Sequence, residues 1–460
     1  MNLIDEYVEI VSKYIDSPEI FIKATGCWLI SATLGRFVKI PHLPQKYPRP
    51  NLYVALASPP LFMRRSTLAT IAKSIYRKAY ARFLKEEPDS QTYKEINERF
   101  IEEFTIEGIC DHIEATGHED YVLYSNEFGM VLKRTKSKHL AGMLSVMSKL
   151  HDGLPHTQTL SQRGGKTGTR YIPEGLYVTM LVEMQEPKQY LDKLMLSQGF
   201  LRRLILFPQK YEDIDLHRYK PLLSVERLGM WRDFEKFSVE VSNRMKEISN
   251  FVKLNEKEIE IEFSSTDIID YINKYDKDLR RYAKSSKDPK SIYYGALPIF
   301  LTKLCVIYAL ADVDNKPVEI AGEYKINVSE RHLTSASKII KDILSRIKEV
   351  LEEIVLEEKE EPIKSQINVF EKIKQIIGER GINMSKLMQR LNIKKSELKP
   401  ILETMFERDE LFVVKHRTSG RPAIVVFTNR KVAERYKTLN KGLSSELYDA
   451  SNYKDFLETW

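Results

Sequence analysis

Cysteine is scarce in this chain, with three residues among 460: Cys27, Cys110 and Cys305. They lie far apart and form no CxxC pair, which argues against a disulfide framework. Isolated cysteines in apolar or mixed surroundings are typical of reduced, partly buried thiols. We therefore expect a cytoplasmic protein.

Several catalytic and metal-binding signatures are also missing. There is no GxSxG nucleophile elbow and no HExxH motif. One cysteine lies near three histidines, Cys110 with His112, His118 and His139, but the spacing matches no zinc-ligand pair. We predict no bound structural or catalytic metal of this kind.

Long apolar runs are absent as well. The longest, around Ala296–Ala311, is interrupted by Lys303, so no membrane partner is expected. The first ten residues, MNLIDEYVEI, are acidic and amphipathic, unlike a signal peptide. Apolar residues make up 42% of the chain, enough for a full globular core in two or three domains.

Glycine is missing where a phosphate-binding loop would need it. An apolar run, Leu52–Ala57, ends at Ser58, and an amphipathic helix begins near Ser66. A P-loop has Gly, four residues, Gly, Lys and then Ser or Thr, because backbone N–H groups wrap the phosphates. Aligned on Ser66, this chain has Pro59, Arg64, Arg65 and Ser66 at those positions. By itself the stretch favours an ordinary strand–turn–helix over a P-loop.

The helix after this turn is strongly basic. Between Pro59 and Lys85 there are seven Lys or Arg and no Asp or Glu: Arg64, Arg65, Lys73, Arg77, Lys78, Arg82 and Lys85. The whole chain carries a net charge of only +7, so its positive charge is unevenly placed. Such patches suggest a polyanionic partner, most commonly nucleic acid.

Three further apolar runs predict strands of the same sheet. Tyr121–Tyr124 leads into Asn126 and Glu127, Leu176–Val182 leads into Glu183, and the run GFLRRLILFP contains Arg202 and Arg203. Strands alternating with helices predict a parallel α/β sheet, whose chemistry lies beyond the carboxyl ends of the strands. Glu127, Glu183 and Gln185 are expected at that edge.

Between the first and second of these three strands lies a cationic, glycine-rich segment, SQRGGKTGTR. It fails the P-loop spacing, because Leu160 stands where the first glycine should be. Its cations, Arg163, Lys166 and Arg170, suit a loop that contacts phosphates, and a solvated loop without a ligand is an equal alternative.

Residues 366–430 predict a winged helix–turn–helix. A helix at Val369–Ile377 is followed by helices capped by Ser385 and Ser396, then by the strands LFVVKHRT and AIVVFTN. In this fold the third helix enters the DNA major groove and the wing contacts the backbone. From Ser365 to Arg430 there are thirteen Lys or Arg against seven Asp or Glu. The predicted DNA-binding residues here are Lys394, Lys395, Lys399, Lys415, His416, Arg417 and Arg421; protein contact is the alternative role.

Taken in order, these segments resemble the P-loop helicase-like ATPase module of plasmid, phage and virus replication (primase–helicase) proteins. The resemblance covers roughly residues 10–350. It is carried by ATGCWLISATLGRFVKI, PNLYVALASPPLFMRRST, YVLYSNEFG, HDGLP with SQRGGKTGTR, GLYVTMLVEMQEP, QGFLRRLILFP, ALPIFLTKLCVIYAL and INVSERHLTSASKII. It implies a RecA/AAA+-like P-loop core with a helical subdomain.

The resemblance also implies roles for individual residues. A nucleotide, ATP with Mg²⁺, would be bound by Arg64, Arg65, Ser66, Thr67 and Asn126. Glu127 would be the catalytic acid, and Arg202 or Arg203 a finger reaching a neighbouring subunit's nucleotide. The departures from the family pattern fall on the chemistry: the loop glycines are gone, Arg65 replaces Lys, and Asn126 replaces the metal-binding Asp.

The expected organisation is a helical lead-in (1–50), a degenerate P-loop core (51–210), a connector and helical subdomain (211–361), the winged helix (366–430) and a tail (431–460). The leading hypothesis is a DNA-binding replication or maintenance protein of a mobile genetic element, with ATPase or DNA helicase activity an open question. It would form homo-oligomers, and the tail would contact its own domain or other replication proteins. The alternative is a non-enzymatic winged-helix regulator that keeps the ATPase fold as an oligomerisation scaffold.

Overall fold

The computed structural model describes most of the chain: residues 2–59, 63–102, 104–135, 142–159, 169–187, 190–191, 199–210, 220, 225–285, 290–391, 395–416, 422–440 and 445–459. The chain divides into two compact units, Met1–Val355 and Leu356–Trp460. Cys27, Cys110 and Cys305 are buried free thiols, which confirms the prediction that they are unpaired.

The helices of the first unit enclose a central sheet. They are α1 (Leu3–Tyr14), α2 (Glu19–Leu34), α3 (Arg65–Leu84), α4 (Ser90–Asn97), α5 (Ile106–Thr116), α6 (Phe128–Thr135), α7 (Met143–His151), α8 (Met230–Asn255), α9 (Thr266–Ser285), α10 (Lys290–Tyr294), α11 (Leu297–Ala311) and α12 (Glu330–Ile377), which extends past Val355. Helices α2 and α11 are apolar on nearly all sides and are buried along most of their length. Within the described residues, no helix has a stretch long and apolar enough to span a bilayer.

The central sheet consists of five parallel strands in the described part of the chain. They are β2 (Tyr53–Ala57), β3 (Phe100–Ile101), β4 (Asp120–Ser125), β7 (Tyr177–Met184) and β8 (Leu204–Pro208), arranged in the order β3, β4, β7, β2, β8. The interior strands β2 and β7 are buried at every position, as expected when helices cover both faces. The predicted α/β fold with a parallel sheet is confirmed, together with the four strands read from apolar runs.

A second sheet in the first unit was not expected. It joins β1 (Val38–Lys39), β9 (Ile259–Phe263), β11 (Glu323–Val328) and β10 (Val318–Ile320) in that order. The helical subdomain expected within residues 211–361 is wrong for residues 318–320 and 323–328, which form β10 and β11. These strands are short and carry several polar side chains, so they lack the apolar run that identifies a core strand. Strands β5 (His156–Thr159) and β6 (Thr169–Ile172) form an antiparallel pair, the last of the strands described in this unit.

The second unit has helices on both faces of an antiparallel sheet. Its strands β12 (Ile382–Asn383), β14 (Ala423–Phe427), β13 (Phe412–His416) and β15 (Ser445–Tyr448) pair in that order, and its further helices are α13 (Met384–Leu391), α14 (Lys395–Glu407), α15 (Arg430–Leu439) and α16 (Tyr453–Thr459). Residues of the tail belong to this core, because β15 extends the sheet beside β13 and Phe456 is buried against Phe406.

Candidate functional site at the carboxyl edge of the sheet

The strand order creates one topological switch point in the central sheet. From β2 the chain crosses to β3 at the far edge, returns through β4 and β7, and then places β8 on the other side of β2. In open parallel sheets, ligands bind outside the carboxyl ends of the strands at such a point. Strand β2 ends at Ala57 and helix α3 begins at Arg65, at this position.

A buried carboxylate contacts the start of α3. Glu183, next to the last residue of β7, is 1% exposed, and its Oε2 accepts a hydrogen bond of 2.7 Å from the hydroxyl of Ser66. Its Oε1 accepts a hydrogen bond of 3.1 Å from the hydroxyl of Tyr124 on β4. Ser66 itself is exposed. The Ser66 hydroxyl therefore lies between a buried carboxylate and solvent.

Two cations flank this carboxylate. The guanidinium of Arg65 donates to the carbonyl oxygen of Met184, and the Nζ of Lys73 lies 3.2 Å from the centroid of the Tyr124 ring. Burial raises the pKa of Glu183, while the hydrogen bonds from Ser66 and Tyr124 and the charges of Arg65 and Lys73 oppose that rise. Burial likewise lowers the pKa values of Arg65 and Lys73.

The other residues predicted for the nucleotide lie around this cluster with different exposure. Arg64, at a left-handed φ of 50°, pairs with Asp16 at 3.1 Å, and Thr67 is exposed. Asn126 and Glu127 follow the end of β4 and are both exposed; the backbone N–H of Glu127 donates to Ser125 Oγ at 3.2 Å. They share the carboxyl edge of the sheet with Glu183, while the hydroxyl of Ser66 donates to Glu183.

The two arginines predicted to act as a finger lie at the amino ends of the strands, opposite the carboxyl ends where Ser66 and Glu183 meet. Arg202 and Arg203 precede β8, at the amino end of a sheet whose strands are roughly 16 Å long. The Nε of Arg203 donates to both carboxylate oxygens of Asp152, at 3.0 and 3.1 Å, and its Nη1 donates to the Gly199 carbonyl at 2.7 Å. Arg202 is exposed, and the described residues offer it no ion pair. Among the described residues, Arg203 is thus engaged by Asp152, while Arg202 is exposed.

The basic helix is occupied by internal contacts. Lys78 and Arg82 both pair with Glu235 of α8, Lys73 lies 3.7 Å from Glu102, and Lys85 pairs with Asp89 at 2.6 Å. The remaining member of the row, Arg77, stacks over the Phe100 ring at 4.5 Å. Four cations of this helix and its end are thus paired with acids that lie outside the helix.

In the second unit, the predicted DNA-binding residues differ in exposure. Lys395 and Lys399 are exposed on α14, and Lys415 is half-buried. His416 is only 7% exposed, with its ring 5.9 Å from that of Tyr436 on α15. Successive residues of a strand point to opposite faces, so His416 faces the helix, which corrects its assignment to the DNA-binding face.

Several predicted contacts lie outside the described residues: Lys394, Arg417, Arg421, Arg163 and Lys166. Arg170, from the same cationic segment, is described at β6. Its Nη2 donates to Asp111 Oδ2 at 2.9 Å, so this cation is already paired within the first unit.

Sequence reasoning placed Glu183 at the right edge but gave it no role, and it did not single out Lys73 or Tyr124. The signal for Glu183 was that it is the one charged residue of β7, a strand that is buried at all eight positions. Within the described residues, no three His, Cys, Asp or Glu side chains form a group that could hold a metal ion.

The chain matches no protein-family model and no curated protein sequence.

Proposed function

We propose that this chain is a DNA-binding replication or maintenance protein of a mobile genetic element, with a degenerate P-loop ATPase core and a winged helix. The observation that carries the proposed P-loop core is the position of Ser66. It lies in the first turn of a helix at the switch point of a parallel sheet, where phosphate groups bind in folds of this kind, because the helix N-terminus points its N–H groups at them.

The proposed winged helix is supported by the order of elements in the second unit. The end of α12, α13 and α14 precede the strand pair β13 and β14, and β12 pairs with β14. This is the arrangement expected of a winged helix–turn–helix, in which α14 would enter the major groove. Its exposed lysines, Lys395 and Lys399, would then meet the DNA.

A second candidate is the regulator whose core is only a scaffold, and it has an observation in its favour. Arg64 and Arg65, which should be free for phosphates, are engaged by Asp16 and by the Met184 carbonyl. A nucleotide would have to replace both contacts. In the ATPase hypothesis, the exposed Arg202 would reach the nucleotide of a neighbouring subunit and Glu127 would activate water.

Substitution of Arg65 separates the two candidates. If the core binds ATP, Arg65→Ala should weaken binding by about tenfold or more, because a phosphate contact is lost. Isothermal titration with Mg·ATP, with and without DNA, measures this. Arg77→Ala is the matched control, since Arg77 lies on the same helix roughly 18 Å further along and stacks on Phe100. Glu127→Gln should retain binding and lose hydrolysis. Failure of the unmodified protein to bind millimolar ATP would leave the scaffold as the better account.

Substitution of Lys399 tests the DNA-binding role of α14. Lys399→Glu should weaken DNA binding by about tenfold at low salt and lower the slope of log K against log salt by about one, because one phosphate contact is lost. Fluorescence anisotropy with a labelled duplex over a salt series measures both. Lys454→Glu makes the same charge change at an exposed position on α16 and should have little effect. Equal effects of the two substitutions would mean that α14 does not contact DNA.

A further inference from the structure

Asn126, which carries no charge, stands at the position where the family pattern has the metal-binding Asp. A divalent cation that accompanies a nucleotide needs an oxygen ligand from the helix start and a carboxylate close to it. Asn126 is exposed beyond the end of β4, whereas the carboxylate that touches the helix start is Glu183, on the neighbouring strand. The charge missing from β4 is thus present one strand away.

The register of the strands explains how Glu183 comes to occupy this place. Glu183 pairs with Leu56, one residue before the end of β2, and Val182 pairs with Ser125 at the end of β4. The side chain of Glu183 therefore leaves β7 at the level where β2 gives way to the loop before α3. From there it reaches Ser66, the second residue of that helix.

The direction of the hydrogen bond matters for cation binding. The Ser66 hydroxyl donates its hydrogen to Glu183, so the lone pairs of its oxygen point away from the carboxylate. An oxygen held in this way is a suitable ligand for a hard cation such as Mg²⁺, which in nucleotide sites takes one or two protein oxygens, phosphates and water. One hydroxyl and one carboxylate are compatible with that donor set.

We propose that Glu183 takes over the part of the missing acid, orienting the Ser66 hydroxyl toward a divalent cation that a bound nucleotide brings. This inference rests on the proposed nucleotide-binding function. Glu183 is a positioning residue here, because it acts on the cation through Ser66. Tyr124, which donates to the other carboxylate oxygen, holds Glu183 in this orientation.

The test compares the cation dependence of nucleotide binding among variants. The affinity for a fluorescent ATP analogue is measured with Mg²⁺ and with EDTA, and Mn²⁺ binding in the presence of the nucleotide is followed by electron paramagnetic resonance. In the unmodified protein Mg²⁺ should tighten binding. Glu183→Gln should reduce the affinity for Mn²⁺ by about 10-fold to 100-fold, as loss of a group that orients a metal ligand does.

Two further variants separate a cation effect from structural damage. Glu102→Gln removes the same charge beside Lys73, from a side chain that is 58% exposed, and should leave Mn²⁺ binding unchanged. Adding Asn126→Asp to Glu183→Gln returns a carboxylate to the carboxyl end of β4 and should restore part of the lost Mn²⁺ affinity. If Glu183→Gln acted only by destabilising the fold, this second substitution would restore no affinity. Thermal unfolding of each variant shows that it is folded.

The outcomes distinguish this inference from the function on which it rests. Nucleotide binding whose cation dependence survives Glu183→Gln would overturn the role of Glu183 and leave the proposed function standing. Absence of any nucleotide binding by the unmodified protein would overturn both.

Discussion

Replacing Asp120 with alanine is expected to lower the free energy of unfolding of the first unit by about 4 kcal/mol, because it leaves two arginines without their anion. Asp120 begins β4 and is 3% exposed. Its Oδ1 accepts from the guanidinium groups of Arg36, at 2.7 Å, and Arg99, and its Oδ2 accepts from Tyr80 at 2.9 Å. One carboxylate thus joins the segment after α2, helix α3, and the starts of β3 and β4.

The measurement is chemical denaturation followed by the fluorescence of Trp28, which is fully buried in the first unit. Asp111→Ala is the matched control. Asp111 also pairs with an arginine, Arg170, but its side chain is 54% exposed, so the loss should stay within about 1 kcal/mol.

A double substitution tests the physical reason for the Asp120 effect. If the cost comes from a stranded cation, Asp120→Asn combined with Arg99→Met should be more stable than Asp120→Asn alone, because Arg99 is only 11% exposed in the ion pair. Equal losses for Asp120→Ala and Asp111→Ala would contradict the prediction and show that the cluster is well solvated.

The parts of the fold that sequence predicts are those with a local signal. The run Leu52–Ala57 gave β2 (Tyr53–Ala57), because five consecutive buried residues between turn residues have few other solutions. The two-residue strands Val38–Lys39 and Phe100–Ile101 are too short to show a period. Only their pairing with distant strands defines them.

The candidate site illustrates the same limit. Ser66 was found because it follows a strand and a turn, but its partner Glu183 is 117 residues away. In a strand buried on both faces, alternation does not show which way a charged residue points. The register that brings Glu183 to Ser66 depends on the whole sheet.

Charge counting along the chain misleads for a related reason. The helix α3 has no acid of its own, yet Glu235 from α8 neutralises Lys78 and Arg82. A local excess of cations predicts a polyanion-binding site only where acids from distant parts of the chain do not pair with those cations. By contrast, the opposite facing of Lys415 and His416 follows from the period of a strand and was available from sequence.

The chain also contains a buried lysine whose ionisation should be visible in its stability. Lys303 on α11 is 1% exposed and donates to the Asn51 carbonyl at 2.9 Å, to Asn51 Oδ1 at 2.8 Å and to His151 Nε2 at 3.2 Å. No carboxylate is among these partners. Burial lowers the pKa of Lys303 from 10.5 to about 7, and the nearby Asp152 opposes that change only in part.

The neighbouring histidine completes a chain of hydrogen bonds to Arg203. His151 Nδ1 lies 2.9 Å from Asp152 Oδ1, and since its Nε2 accepts from Lys303, Nδ1 carries the hydrogen. Burial lowers the pKa of His151 to about 3, so the imidazole is neutral at physiological pH. The lysine, rather than the histidine, is therefore the group that titrates near neutrality.

The sign of the pH dependence follows from these two pKa values. Between about pH 7 and 10.5 the unfolded chain keeps a proton on Lys303 that the folded protein has lost, so raising the pH stabilises the fold. For a shift of this size the gain from pH 7 to 8.5 is about 1.5 kcal/mol. His151 acts lower, where stability falls as the pH drops from 6.5 toward 3.

Lys303→Met isolates this contribution. The buried thiols and tyrosines ionise more readily in the unfolded chain than in the folded protein, so above about pH 8 they lower the unfolding free energy as the pH rises. Both proteins share these groups, so their contribution cancels in the difference. The unfolding free energy of the unmodified protein minus that of Lys303→Met should therefore rise by about 1.5 kcal/mol between pH 7 and 8.5. Lys316→Met, at a side chain that is 69% exposed, should give a difference that does not change with pH. A constant difference for Lys303→Met as well would mean that Lys303 stays charged in the core, and its three neutral acceptors would then suffice to hold an ammonium group there.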